Sequence, residues 1–443
     1  MTAGETVTAA AEPAGPPAPV GRGVLANPDF VRLWAGQTVS LIGTQVTLFT
    51  LPLVAILTLH ATVVEVGVLN ALRFVPVIAL SVVAGVWLDR RRRRPVLITC
   101  ALSSSLLIGL VPVSAAAGFL SIGLLYVVTA LVGTLNMVFD IGALSYVPFL
   151  VDRQHLAEGN GKLQASNAVA GISGPGLAGL LVGLITAPVT LSADAVSYLF
   201  SALGLISITR QEPAPEVPEH PVPVRQSIAE GFRAVFGTRL LRSLLTQTTT
   251  LNLFFGAYLT VFVVYAVRTL HLSPAELGIV LGAGPAGGLF GALLAGRIRQ
   301  ALGLGRAMAI AMTGVSGLLL FLLVPHSASA AAIAIMAAAQ LGYGFCIAMF
   351  NVNAITLRQT VTPPRLLARM NATYRMMIFG AQPPGALLGG LLATLAGLHA
   401  ALAISLLAMI SPALWIFFSP VYRLTQMPRG PQAPGQDRDG ADD

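Results

Sequence analysis

Charge is scarce in this sequence. Only 10% of its 443 residues are Asp, Glu, Lys or Arg, while 55% are hydrophobic, more apolar surface than one water-soluble core of that length could hide. Lysine is nearly missing: Lys162, in GNGKLQ, stands alone. A phosphate-cradling glycine loop ending in Lys-Ser or Lys-Thr is therefore absent, and with it the signature of an ATP-driven pump. Cysteine is limited to Cys100 and Cys346, both inside apolar runs. They read as two small buried side chains, not as a disulfide or a metal pair. The six histidines are scattered singly near span ends and loops, with no His-Glu-x-x-His among them. No enzyme, metal site or cofactor is expected.

Apolar length is abundant. Runs of about 18 to 28 residues recur along the chain, which is what a hydrocarbon slab about 30 Å thick asks of a helix. Twelve are expected, near 32–59, 63–88, 95–117, 120–149, 163–186, 190–208, 242–268, 274–297, 306–325, 330–356, 370–396 and 398–420. They are continuously apolar and rich in Ala, Leu and Gly, whereas a barrel strand alternates apolar with polar residues over about ten positions. The fold class is an all-α membrane protein with the lipid bilayer as its solvent.

The net charge of +8 could point to nucleic acid, but the arginines fall in short loops between spans and on no single soluble face. With the N-terminus in the cytoplasm, one set of loops holds Arg90 to Arg94, Arg153, Lys162, Arg210, Arg297, Arg299, Arg306, Arg358 and Arg365, and the opposite turns hold only Arg268. That asymmetry is the positive-inside pattern, and an even span count puts both termini in the cytoplasm. Residues 1–27 and 421–443 read as disordered cytoplasmic tails, and 1–27 lacks the pattern of a secretory signal.

The chain repeats itself. A shift of 211 residues lays His60 on His271, Glu65 on Glu276, Gly67 on Gly278, Phe139 on Phe350, Asn160 on Asn371, Gly174 on Gly385 and Gly179 on Gly390. Two parallel six-span bundles, 28–209 and 241–420, are therefore expected around a linker at 210–240. Repeated halves are an architecture of secondary transporters, with the substrate site between them. Within the linker, RQSIAEGFRAVFG places Ile228, Phe232, Val235 and Phe236 on one face, which suits an amphipathic helix on the inner leaflet.

Between spans two and three, GVWLDRRRRRPVL presents Gly85, Asp89, Arg90 and Arg94. In span five, GKLQASNAVAGISGPGLAG presents Gly161, Gly174, Pro175 and Gly179. The first resembles the Gly-x-x-x-Asp-Arg loop motif of the major facilitator superfamily, and the second resembles the antiporter motif of its drug/proton exporters, with Ala at two of the glycine places. Stretches 33–53, 70–94 and 191–203 are similar to the bacterial branch of enterobactin- and macrolide-type efflux proteins. The resemblance implies twelve spans in two pseudo-symmetric bundles and export from a bacterial cytoplasmic membrane. It also implies a gating role for the loop motif and a hinge or tight seam at Pro175. One departure is that span four lacks the arginine such antiporters often carry.

Charged side chains at membrane depth cost about 2.5 to 3.5 kcal/mol on the insertion scale unless a partner or aqueous cavity receives them. Arg73 lies about 15 Å into span two at 1.5 Å per residue. Asp140 sits in the inner half of span four, with Asn351 as its repeat mate. Asp194 is placed in the first turn of span six, where the helix dipole favours a carboxylate. These three are the candidates for proton coupling. In the superfamily fold, spans one, four, seven and ten line the cavity; here they carry Gln37, Gln45, Asn136, Asn252, Gln340, Tyr343, Asn351 and Asn353. Such a wall favours small, lipophilic, neutral or weakly cationic cargo. The expected activity is proton-coupled efflux by a monomer, against the rival of proton-coupled uptake and the more distant one of a non-transporting receptor.

Overall fold

The computed structural model describes residues 23–152, 155–210, 212, 224–363 and 366–428. Among them there are only helices, turns and short connections, and twelve helical segments are long and apolar enough to cross a membrane. The first half comprises α1 (Pro28–Leu53), α2 (Val63–Leu72), α3 (Val75–Asp89), α4 (Arg93–Ala116), α5 (Ile122–Leu150), α6 (Leu156–Ile185) and α7 (Ala187–Ile206). A linker helix, α8 (Val224–Gly237), precedes the second half. That half comprises α9 (Arg239–Arg268), α10 (Pro274–Leu302), α11 (Leu304–Leu319), α12 (Ala330–Val361), α13 (Leu367–Ala396), α14 (Leu398–Ala408) and α15 (Ser411–Phe417). Large apolar side chains on the outside, such as Leu106, Leu184, Leu293 and Leu395, are 69% to 76% exposed. In water that surface would aggregate, whereas in a bilayer it is the lipid-facing wall.

Two spans are built from two helices each. The second breaks between α2 and α3 because Pro76 has no N–H for the Leu72 carbonyl and its ring crowds the turn before it, so Arg73 and Phe74 form a turn in mid-span. The twelfth divides between α14 and α15, where Pro412 opens the second piece. Continuous helices were expected at both places from apolar length alone. The fifth span begins at Leu156, two turns earlier than its hydropathy suggests, because Glu158 and Lys162 lie on its first turns.

The repeat seen in the sequence is carried into the backbone. Thr62 and Glu65 form a reciprocal capping box at the start of α2, and Ser273 and Glu276 form the same box on α10. His60 and His271, one repeat apart, both take a positive φ, 51° and 56°, in the turn before it. The local chemistry of each half thus specifies the same entry into its second span.

On the side that bears both termini, charged groups tie helix ends together. Glu212 accepts from the backbone N–H groups of Arg93 (2.9 Å) and Arg94 (3.0 Å) at the start of α4, where the helix dipole favours an anion. Arg94 in turn donates to the Leu205 and Ile206 carbonyls (3.0 and 2.7 Å) at the end of α7. The linker helix packs on the other half: Gly231 abuts the Arg369 carbonyl, Glu230 pairs with Arg369, and Val235 is fully buried. Val235 therefore packs against protein, while Phe232 and Phe236 stack with centroids 5.8 Å apart and Phe236 stays exposed.

Candidate functional site

The two halves meet along two seams, α2 with α13 and α6 with α10. Glycine makes both possible, because it lets one backbone approach another to van der Waals distance. A methyl group on Gly67 would lie 2.7 Å from the Ala386 carbonyl oxygen, and one on Gly278 would lie 2.5 Å from that of Pro175. These two contacts are one repeat apart on both sides. So is the next pair, in which Gly179 abuts Pro274 and Ala275, and Gly390 lies against Val63 and Val64. The far-side closure is thus a two-fold arrangement written twice into the chain. Arg268 and Asn70 add hydrogen bonds across it, to the Ala61 carbonyl (2.5 Å) and to the Thr260 hydroxyl (3.1 Å).

Towards the terminal side the seams open. From Gly278 the same measure grows to 3.4 Å at Gly282 against the Ile172 carbonyl and to 3.7 Å at Gly171 against Pro285. Gly85, Gly161 and Gly296 then have nothing within 4 Å. The result is a crevice closed on the far side and open towards the arginine-rich loops.

Where α2 gives way to α3, Phe74 stacks on Phe379 of α13 with ring centroids 6.0 Å apart and 13° between planes. Arg73 lies over the Phe74 ring (5.0 Å), and Arg375, one turn before Phe379, lies over its ring (6.0 Å). Arg73, Arg375 and Asp140 all have accessible side chains although they stand in the interior of the span bundle. Accessibility at that depth marks them as groups on the crevice wall. Arg375 escaped the sequence reading, because it sits within three turns of a span end, where a cation passes for a loop residue until helix packing shows which way it faces.

Asp194 is elsewhere. Its helix starts at Ala187, so it stands in the third turn and not the first, and the dipole explanation expected from the sequence does not hold. Fully buried, it accepts from Thr47 (2.5 Å) and from Ser197 (2.8 Å), with Gly43 providing the room. One turn on, Tyr198 donates to Asn136 (2.9 Å) and lies 3.3 Å from the Thr44 hydroxyl. Asp194 is therefore a packing carboxylate between spans one and six.

The neutral polar residues divide. Asn351 is exposed to the crevice. Asn252 accepts from Gln382 across to α13 (3.0 Å), and Tyr343 stacks on Phe255 (5.8 Å). Gln340 is buried and donates to Tyr258 (2.9 Å), while Asn353 is fully buried and donates to the Met349 carbonyl (2.9 Å). Gln340 thus joins α12 to α9, and Asn353, whose Met349 bond lies within α12, accepts from Arg299 of α10 (3.5 Å); being buried, neither lines the crevice, contrary to expectation. Gln45 packs on Gly174, and Gln37 keeps a buried Oε1 without a partner among the described residues. Of the loop motif, Gly85 is open, Arg90 is exposed and Arg94 serves its own half; the Asp89 side chain lies outside the described residues.

Two six-span bundles facing each other across a crevice open on one side define a membrane transporter. The sequence profile described as the Major Facilitator Superfamily matches residues 33–379 and, overlapping, 248–438; the chain belongs to that family. It is 26% identical over 257 residues to the enterobactin exporter EntS of Escherichia coli O1:K1 / APEC, covering 56% of this chain and 58% of that protein, so the match spans little more than half the relative's length. Among solved structures, a mutant of the nucleoside transporter NupG superimposes with a TM-score of 0.71 at 13% identity, over 88% of this chain and 99% of the other. A bacterial homologue of the iron transporter ferroportin gives 0.70 in its inward-facing state (17% identity, 90% and 99% covered) and 0.55 in its outward-facing state (17%, 88% and 98%).

Proposed function

We propose that the chain exports a small amphipathic molecule by alternating access, loading it from the cytoplasm through the crevice described above and coupling the cycle to protons through Asp140. The observation that carries this reading is the crevice itself, open on the side where the arginines gather. By the positive-inside pattern that side is cytoplasmic, and the membrane is the bacterial inner membrane. The exporter relatives support the direction. Asp140 is the acidic side chain that combines membrane depth with access to the crevice, whereas Asp194 is sealed by two hydroxyl groups. The symmetric glycine contacts supply a closure that can form on one side while the other opens.

Proton-driven uptake is the second reading, because alternating access does not by itself set the direction of transport. An accumulation assay in an efflux-deficient host separates the two: expression lowers cellular cargo under export and raises it under uptake. Asp140→Asn is expected to weaken the proton-dependent part of transport more than Asp194→Asn does, and equal activity of Asp140→Asn and the unaltered protein would remove the coupling assignment.

A further inference from the structure

The end wall of the crevice carries a charge pattern that the expectation of neutral or weakly cationic cargo did not include. Arg73 and Arg375 come from opposite halves, both side chains are accessible, and each lies against one ring of the Phe74–Phe379 stack that joins the halves. Among the described residues neither guanidinium has a carboxylate within 4 Å. Asp140 forms an ion pair with neither, and Asp194 is fully buried with its oxygens occupied by Thr47 and Ser197. Nearer the mouth, Arg299 bonds to Asn353, Arg358 lies over the Tyr374 ring and Arg369 is paired with Glu230. Among the described residues no further acid from those walls pairs with either arginine. Two guanidiniums against one carboxylate leave the end wall cationic.

We propose that this end wall is an anion site, and that the cargo is an aromatic or otherwise apolar molecule carrying a carboxylate, sulfonate or phosphate-like group. The acidic group pairs with the guanidiniums of the Arg73 and Arg375 wall, and the apolar part lies along the half-buried Phe74 and Phe379 rings. A guanidinium presents its donors in a planar fork that matches a carboxylate or sulfonate two bonds at a time. The two cations belong to different halves, so both halves contribute to the site. A cationic cargo would meet two like charges there. A neutral one would leave both arginines without a counter-ion at membrane depth, where an uncompensated charge is costly. The proposal rests on the crevice being the transport site, but on neither the direction of transport nor its coupling.

The test is calorimetric binding to the full-length protein in detergent, with three probes of one shape that differ in charge: 1-naphthoate, 1-naphthamide and 1-naphthylmethylammonium. The naphthoate is expected to bind about tenfold tighter than the amide, as a charge-assisted hydrogen-bonded pair predicts, and the ammonium weakest. Arg73→Gln and Arg375→Gln should each remove most of that preference, and the Lys variants should retain part of it. Asp140→Asn, which takes away the competing carboxylate, should tighten the naphthoate, a gain that a merely damaged fold would not give. Naphthoate binding no tighter than the amide or the ammonium, absence of binding by all three, or a preference undiminished in both Gln variants would overturn the proposal. No gradient is present in this measurement, so a protein that kept its naphthoate preference but failed the accumulation assay would lose the export reading and keep the anion site.

Discussion

Asp194 and Asp140 differ by what surrounds them, and their substitutions should differ accordingly. Asp194 is held by Thr47 and Ser197 with no access to the crevice. Leucine there would leave the Thr47 hydroxyl unpaired in a dry helix seam, at a cost of about 1–3 kcal/mol, while Ser197 would keep its bond to the backbone carbonyl of residue 194 (2.8 Å). Thermal unfolding of the detergent-solubilised protein should show Asp194→Leu clearly destabilised, with Asp194→Asn between it and the unaltered protein because an amide can keep both partners. If the Leu variant melted with the unaltered protein, Asp194 would not be the packing residue described. The same contrast explains what was legible at this scale. That a carboxylate lay in span six could be read from the chain, but the helix start that decides whether it caps or packs depends on Pro188 and Ala187 turning helical after Thr186. No hydropathy profile resolves that.

At the level of elements, the broken second span places the arginine and the phenyl ring of the end wall. Pro76 removes one hydrogen bond and bends the path between α2 and α3 just where Arg73 and Phe74 sit. Pro76→Ala would restore an N–H for the Leu72 carbonyl and favour one continuous helix, carrying Phe74 away from Phe379. The expected outcome is an unfolding temperature that is unchanged or higher, with transport and probe binding reduced. Transport at the unaltered level would show that the break is incidental. The position of Pro76 was visible in the sequence. Its consequence was not, because a proline in a membrane helix can be accommodated by neighbouring helices without a break, as Pro175 within α6 is.

For the whole molecule, the seams make a statement about motion. The far side closes through backbone contacts at Gly67, Gly179, Gly278 and Gly390, so a covalent link there should trap this conformation. In a background with Cys100 and Cys346 replaced, cysteines at Val64 and Gly390, whose backbones approach to 3.0 Å as measured from an added Gly390 methyl, are placed for disulfide formation after a small adjustment. Oxidation should abolish transport and a reductant should restore it. Full transport in the oxidised protein would mean that the far side need not open, and alternating access would fail with it.

The sequence by itself determined the solvent, the number of spans, the two-fold repeat and the family. These follow from quantities that add along the chain: apolar length, the placement of arginines and matches at one offset. Even the matched capping boxes at the starts of α2 and α10 are local, since each needs only four consecutive residues, Thr62 to Glu65 and Ser273 to Glu276. The tertiary structure alone decided which side was open, that Gln340 and Asn353 join helices where Asn351 faces the crevice, and that Arg375 meets Arg73 across the Phe74–Phe379 pair. Those facts depend on how helices rotate and lean against partners far along the chain, from 82 residues for Gln340 and Tyr258 to the opposite half for Phe74 and Phe379. A rotation of one residue is about 100° on a helix, enough to turn a crevice-lining side chain into a buried one.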